Sequence, residues 1–175
     1  MGLFRHKPDL ERMKREEDVL GLINSLEERD EDYSKNVIKA LVEIGEPAVE
    51  PLIAAVKFND SPLRYHASDA LGEINGSVVV IIRGGLIKFV NSAVTKLLGY
   101  STQEVLNKQF PKFVANEYED MVLDRYKKRL MDEDVPSVYR VKLVTKKGDK
   151  MLVEIDASRI EHEGRTADLA IVTRV

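Results

Sequence analysis

The run Ser77-Val-Val-Val-Ile-Ile-Arg-Gly-Gly-Leu-Ile-Lys-Phe-Val-Asn91 decides how the chain is read. Two stretches rich in β-branched residues flank Gly84-Gly85. A type I′ turn needs positive φ at both central positions, which glycine adopts without strain, so the run predicts a two-residue β-hairpin. The pattern then changes period. Asn91 and Ser92 are candidate helix caps, and Ala93, Leu97 and Leu98 share one helical face. Gly99 falls where a left-handed residue ends a helix. Ser101-Thr-Gln-Glu104 has the spacing of a capping box, so a second short helix starts there and carries Val105 and Leu106.

The hairpin followed by Asn91-Ser-Ala, Leu97-Leu-Gly-Tyr100 and Ser101-x-x-Glu104 resembles the PAS sensor family. The resemblance spans about residues 76–175. It implies that Phe110 to Val114 is the family's short middle helix and that a longer helix follows to about Met131, with Asn116-x-x-Glu119 as its cap. Three strands then complete a five-stranded antiparallel sheet, turning at Lys147-Gly148-Asp149 and at Glu163-Gly164.

Towards the N-terminus the chain repeats itself. Residues 19–45 align without a gap on residues 49–75. Val19 meets Val49, Leu22 meets Leu52, Ile23 meets Ile53 and Asp30 meets Asp60, and Ala40-Leu41-x-Glu43-Ile44 meets Ala70-Leu71-x-Glu73-Ile74. Self-similarity of this period marks stacked supersecondary units. Four apolar stripes at helical spacing follow: Val19 to Leu26, Val37 to Ile44, Val49 to Val56 and Ala67 to Ile74. Gly45 and the Asn59-Asp60-Ser61-Pro62 segment punctuate them, and Pro47, Pro51 and Pro62 sit near helix starts, where a missing N–H matters little.

Gly45-Glu-Pro-Ala-Val-Glu-Pro-Leu-Ile53 and Leu63-Arg64-x-x-Ala67-x-x-Ala70-Leu71-Gly72-Glu73-Ile74 resemble the short HEAT-like repeats related to those of phycobilin lyases. The likeness covers about residues 7–75, with Lys7 to Met13 as the first helix; Ser34-Lys-Asn36 departs from the usual Val-Arg pair. Two units are few for a solenoid, so this half is expected to pack on the second half, on another copy or on a partner. The fold class is therefore α then α+β, with a HEAT-like helical domain over 1–75 and a PAS-like domain over 76–175. Only Asn75, Gly76 and Ser77 separate Ile74 from Val78, too short a connection for a free tether.

Composition narrows the function. The 175 residues are 43% apolar and 33% charged, with no apolar run near the roughly 20 residues of a membrane helix. No secretory signal is visible, and His6 breaks the myristoylation pattern after Gly2. The absence of cysteine removes disulfides, thiol catalysis and cysteine-ligated metals, and fits a cytoplasmic location. Residues 1–75 carry ten basic against sixteen acidic side chains, and residues 76–175 carry seventeen against fourteen. With an acidic first half, Lys127-Lys128-Arg129 reads as a solvated helix face rather than a nucleic-acid site.

No catalytic constellation stands out. Ser-His-Asp, HExxH and Walker A patterns are missing. Among the three histidines, His66 lies on a repeat helix as a surface residue, and Glu161-His162-Glu163 sits at a predicted hairpin tip, where side chains diverge and water competes, so no metal site is assigned. Measured against the PAS resemblance, a cysteine-linked flavin or chromophore has no anchor. Residues 111–131 hold no histidine for a haem iron, and tryptophan is absent. A reversibly bound small organic molecule survives, as does a filled core.

Alternation puts Tyr139, Val141 and Leu143 on one face of their strand and Val153, Ile155 and Ala157 on one face of the next. Phe113 and Tyr126 can close a pocket from the helix side, and Tyr126 and Tyr139 are the better ligand candidates because a buried hydroxyl wants a partner. The same residues also read simply as core. Val138, Val144, Ile160, Ala170 and Val172 are expected to face partly outward, a surface suited to a homodimer or to the helical half. The function expected is a non-enzymatic cytoplasmic sensor that binds a small ligand or a protein partner; the alternative is a ligand-free protein–protein adaptor. A chromophore lyase or a repeat-type hydroxylase is suggested only by the repeat, and residues 7–75 lack the His-Glu pairs a hydroxylase needs. No kinase, cyclase or DNA-binding segment follows Thr173-Arg174-Val175, so the output is expected in a separate partner or in a longer chain.

Overall fold

The computed structural model describes residues 8–27, 30–58 and 62–175. The chain divides into two compact units, Met1–Ala70 and Leu71–Val175. The boundary falls inside a helix, a few residues before the change of pattern at residue 75.

The first unit is helical. Helix α1 (Leu10–Arg15) starts at Asp9, whose carboxylate accepts the Arg12 N–H at 3.1 Å. In α2 (Val19–Ser25) Asp18 takes the same role for the Gly21 N–H, and in α3 (Glu31–Ile44) Asp30 does so for Tyr33, each at 3.0 Å. A side-chain oxygen at this position satisfies an N–H that the helix cannot pair itself. A 3₁₀ turn, Glu46–Ala48, holds Pro47 and leads into α4 (Val49–Phe58), and Pro62 opens α5 (Pro62–Asn75). Leu22, Leu26, Val37, Leu41, Leu52 and Val56, all from the predicted stripes, are fully buried. Helix α1 packs on α2 and α3, and α2 on α4. Buried Arg64 reaches back so that its Nε donates to the Val56 carbonyl at 2.9 Å, satisfying an orphan acceptor near the end of α4. The first helix is expected from Lys7; Lys7, His6 and the segment Asn59 to Ser61, Asp60 included, lie outside the described residues.

The second unit is an α+β sandwich. Strands β1 (Val78–Arg83) and β2 (Leu86–Val90) form the hairpin, with φ of 60° at Gly84 and 76° at Gly85. Helix α6 (Ala93–Leu98) ends at left-handed Gly99. Helix α7 (Thr102–Val105) carries both halves of the capping box: Ser101 Oγ accepts from the Glu104 N–H at 3.3 Å, and Glu104 Oε2 accepts from the Ser101 N–H at 2.8 Å. A 3₁₀ turn, Phe110–Phe113, precedes α8 (Asn116–Leu130). Strands β3 (Val138–Val144), β4 (Lys150–His162) and β5 (Arg165–Arg174) follow. The sheet is antiparallel throughout in the order β2-β1-β5-β4-β3, so the last strand is central.

Three local expectations change. Asn91 does not cap α6. It acts as a strand residue: its backbone N–H donates to the Val79 carbonyl, its Oδ1 accepts the Val79 N–H at 3.1 Å, and its Nδ2 donates to the Ser77 carbonyl at 3.0 Å. The chain leaves β2 here, and the amide side chain continues the ladder for β1. Asn116 is the first residue inside α8; its N-cap is Ala115, which makes no side-chain bond, and the Ala115 N–H is held by the Lys142 carbonyl at 2.9 Å. Ala170 and Val172 turn inward, because β5 is central and Ala167 to Val172 are buried without interruption. Of their set, Val138 is exposed, Val144 half-buried and Ile160 buried.

Candidate functional site

The inner face of the sheet and α6, α7 and α8 line a partly open apolar cavity of about 80 Å³. The strands supply Val80 and Ile82 from β1, Tyr139 from β3, Ile155 from β4, and Asp168, Ala170 and Val172 from β5. The helical side supplies Val94, Leu98, Phe110, Phe113, Val114, Val122 and Tyr126. Phe113, Tyr126 and Tyr139, expected from sequence, thus border one space. Val141 is fully buried in the same core but does not border the cavity.

Tyr126 closes one side. Its ring lies 4.9 Å from that of Phe110, and its hydroxyl accepts the Gly85 N–H at 2.9 Å, tying α8 to the hairpin turn. Burial holds the Tyr126 hydroxyl above its ordinary pKa against the lowering pull of the Gly85 N–H. Phe110, Val114 and Tyr126 also line a surface groove of about 720 Å³ that runs past Gly85, Lys112, Glu119 and Lys127. These three side chains are therefore the wall between groove and cavity.

Sequence reasoning missed the polar end. Asp168 is among the residues that line the cavity from β5, and it is 3% exposed. Its Oδ2 accepts from Arg129 Nη1 at 2.8 Å, while its Oδ1 has no hydrogen-bond partner among the described residues. Burial pushes the Asp168 carboxyl up to about 6, although the Arg129 charge and hydrogen bond pull the other way. Arg129 also donates through Nη2 to the Pro136 carbonyl at 3.4 Å. Arg125, one turn back, stacks its guanidinium 4.5 Å from the Tyr139 ring centre. The Tyr139 hydroxyl is shifted up mainly by burial, with Arg129 opposing.

Arg129 is therefore no part of a solvated basic face. The signal was present: Val122, Tyr126 and Arg129 recur at i, i+4 and i+7, one helical face, and Asp168 alternates with Ala170 and Val172 along a strand. His162 is buried rather than bathed in water at the hairpin tip, because β4 continues through it and the turn is Glu163-Gly164. Among the described residues no group of three His, Asp or Glu side chains is placed to hold a metal ion. No helix among them is long and apolar enough to cross a membrane.

Comparison with protein families matches residues 69–173 to the PAS fold. The chain belongs to the PAS family, whose domains serve sensing and signalling. The chain is also similar to several solved structures. A PAS domain from Colwellia psychrerythraea is 15% identical, with a TM-score of 0.52, covering 64% of this chain and 93% of its own. The PAS domain of an HTR-like protein from Haloarcula marismortui is 24% identical, with a TM-score of 0.47, covering 61% and 88%. One from Desulfitobacterium hafniense is 17% identical, with a TM-score of 0.48, covering 57% and 93%. No curated protein matches the chain.

Proposed function

We propose that this chain is a non-enzymatic, cytoplasmic signalling module whose PAS domain, residues 76–175, binds a small organic ligand in the apolar cavity. The observation that carries this is an apolar cavity between sheet and helices, bordered by Phe113, Tyr126 and Tyr139 and by one buried carboxylate residue, Asp168. Phe113, Tyr126 and Tyr139 would touch the ligand, and Val141 would pack behind them.

Residues 1–75 would serve as a HEAT-like interaction domain. The repeat of residues 19–45 in residues 49–75 supports this, as do the helices α2 to α5 that fall on it. Ligand occupancy would be relayed to a protein partner, or within a homodimer, through this domain. Helix α5 runs unbroken across the boundary between Ala70 and Leu71, which supports a mechanical link.

The cavity volume favours one other reading. At about 80 Å³ the space is small for a typical cofactor, as a ligand-free protein–protein adaptor would have it. Native and denaturing mass spectrometry of the purified protein separates the two. A stoichiometric extra mass released on denaturation identifies a sensor and its ligand. A bare chain that also excludes xenon gas under pressure, read by methyl NMR at Val94, Leu98 and Ile155, overturns the ligand site in favour of the adaptor.

A further inference from the structure

The cavity and the surface groove are separated by a wall that is unevenly held. The cavity, at about 80 Å³, has room for about three or four non-hydrogen atoms, by proportion to an apolar cavity of about 150 Å³ that takes benzene. The groove, at about 720 Å³, lies across Phe110, Val114 and Tyr126, the three residues that border both spaces. Sites for organic ligands commonly span about 300–1,000 Å³ and are mainly apolar. The cavity alone falls short of that range; cavity and groove joined fall within it.

Val114 is fixed through the backbone. It forms a bridge with Leu143 on β3, and the next N–H, that of Ala115, donates to the Lys142 carbonyl at 2.9 Å. Phe110 and Tyr126 are held instead through one glycine. The Gly85 N–H donates to the Tyr126 hydroxyl at 2.9 Å, and the Gly85 carbonyl accepts the Phe110 N–H at 3.2 Å. Gly85 lies in the two-glycine hairpin turn, and a Cβ on either glycine would meet no atom within 4 Å, so the turn has room to shift. Releasing the hydroxyl frees the Tyr126 ring to turn out of the wall. Beyond it, Pro111, Leu123 and Leu130 continue the apolar lining. Lys112, Glu119 and Lys127 bring both signs of charge to the groove, so its shape and apolar surface, rather than charge, decide what it takes.

We propose that groove and cavity are two parts of one ligand site, joined when Gly85 releases Tyr126, and that the site takes an elongated, mainly apolar molecule too long for the cavity alone. This rests on the cavity being a ligand site, and the test keeps the two apart. The whole chain, as wild type and as Tyr126→Phe, is titrated with xenon, with 1-propanol, which is short enough for the cavity, and with 1-octanol, which is too long for it. Methyl NMR and ligand-to-protein NOEs are read at Val94, Leu98 and Ile155 for the cavity and at Leu123 and Leu130 for the groove.

The expected result is one bound 1-octanol with NOEs to both sets of methyls at once, and 1-propanol with NOEs to the cavity set only. In Tyr126→Phe the bond to Gly85 no longer holds the wall shut, so 1-octanol should bind about fivefold tighter, the net worth of one neutral hydrogen bond, while 1-propanol is unchanged. Xenon or 1-propanol entering while 1-octanol stays in the groove, or fails to bind, overturns the joined site and leaves the cavity a ligand site. The same 1-octanol affinity in both proteins overturns the role of Gly85. No response of the cavity methyls to any of the three probes defeats the inference and the ligand site together.

Discussion

Arg129 Nη1 donates to Asp168 Oδ2 at 2.8 Å, with the two side chains only 8% and 5% exposed. An ion pair this deep gains little over an apolar pair of the same shape, but removing one partner strands a charge. Arg129→Met is therefore expected to lower stability by about 3–5 kcal/mol, and adding Asp168→Leu to recover most of that loss. Urea denaturation of the two single variants and the double variant measures the coupling. Simple additivity would show that the pair does not act as a unit.

The same carboxyl sets a slope with pH. The folded state holds the Asp168 proton up to about 6, while the unfolded chain releases it near the ordinary value of 3.8. Between those limits the folded state binds more protons, so this group makes the protein less stable as pH rises. Glu104 works in the opposite sense. Its hydrogen bond with Lys146 and the Ser101 N–H hold it down at about 2, so its contribution is present above the ordinary carboxylate range and fades as pH falls towards 2. Subtracting the pH–stability profile of Asp168→Asn from that of the wild type isolates the first term. The difference should fall from pH 4 to pH 6 and then flatten.

Tyr126→Phe keeps the ring packed against Phe110 but removes the acceptor of the Gly85 N–H. The expected loss is about 1 kcal/mol, the usual net value of one hydrogen bond. The sharper readout is hydrogen exchange. The Gly85 amide should exchange faster while amides in the middle of β5 hold their protection. Xenon entry should also quicken, because this side chain is part of the wall between groove and cavity.

Asn91 is a sensitive position of another kind. Asn91→Ala leaves the Val79 N–H and the Ser77 carbonyl without their side-chain partner, an expected loss of about 2–4 kcal/mol. Gly72→Ala should weaken the same place, because a Cβ there would stand 2.9 Å from Asn91 Nδ2 and 3.1 Å from the Ala93 Cβ. Thermal unfolding of both variants should show lower midpoints, with Asn91→Ala the lower of the two.

Relay through the junction is tested by insertion. A short Gly-Ser segment between Asn75 and Gly76 should leave ligand binding intact. It should abolish any ligand-dependent change in hydrogen exchange over residues 10–58. An undiminished response in those helices would reject relay through this connection.

Backbone chemistry made much of the fold legible. Gly84-Gly85 specifies one kind of turn, and Ser101 with Glu104 one kind of helix start; both act over a few residues, so the sequence alone exposes them. Asn91 was harder. Its type suits a cap as well as a ladder mimic, and only the departure of the chain from β2 decides between them. The polar end of the cavity was harder still. Arg129 follows two lysines, so its charge reads as part of a basic surface even though it shares a helical face with Val122 and Tyr126. Asp168 and Arg129 lie far apart in sequence, and neither makes sense buried without the other. Val141 shows the converse limit: alternation gives the face of the sheet, but not which residues on that face stand at a gap in the packing.

The central position of β5 also governs the order of folding. Val78 and Val80 cannot complete their pairing until Val172 and Ala170 arrive, and β4 waits on the same strand. Such distant closures slow folding. The cavity is complete only with that strand in place, since Asp168, Ala170 and Val172 are part of its wall. A molecule that occupies the cavity therefore binds only chains in which the strand is seated, and it draws the folding equilibrium towards them by mass action. Abundance of the folded protein in the cell would then track the supply of its own ligand.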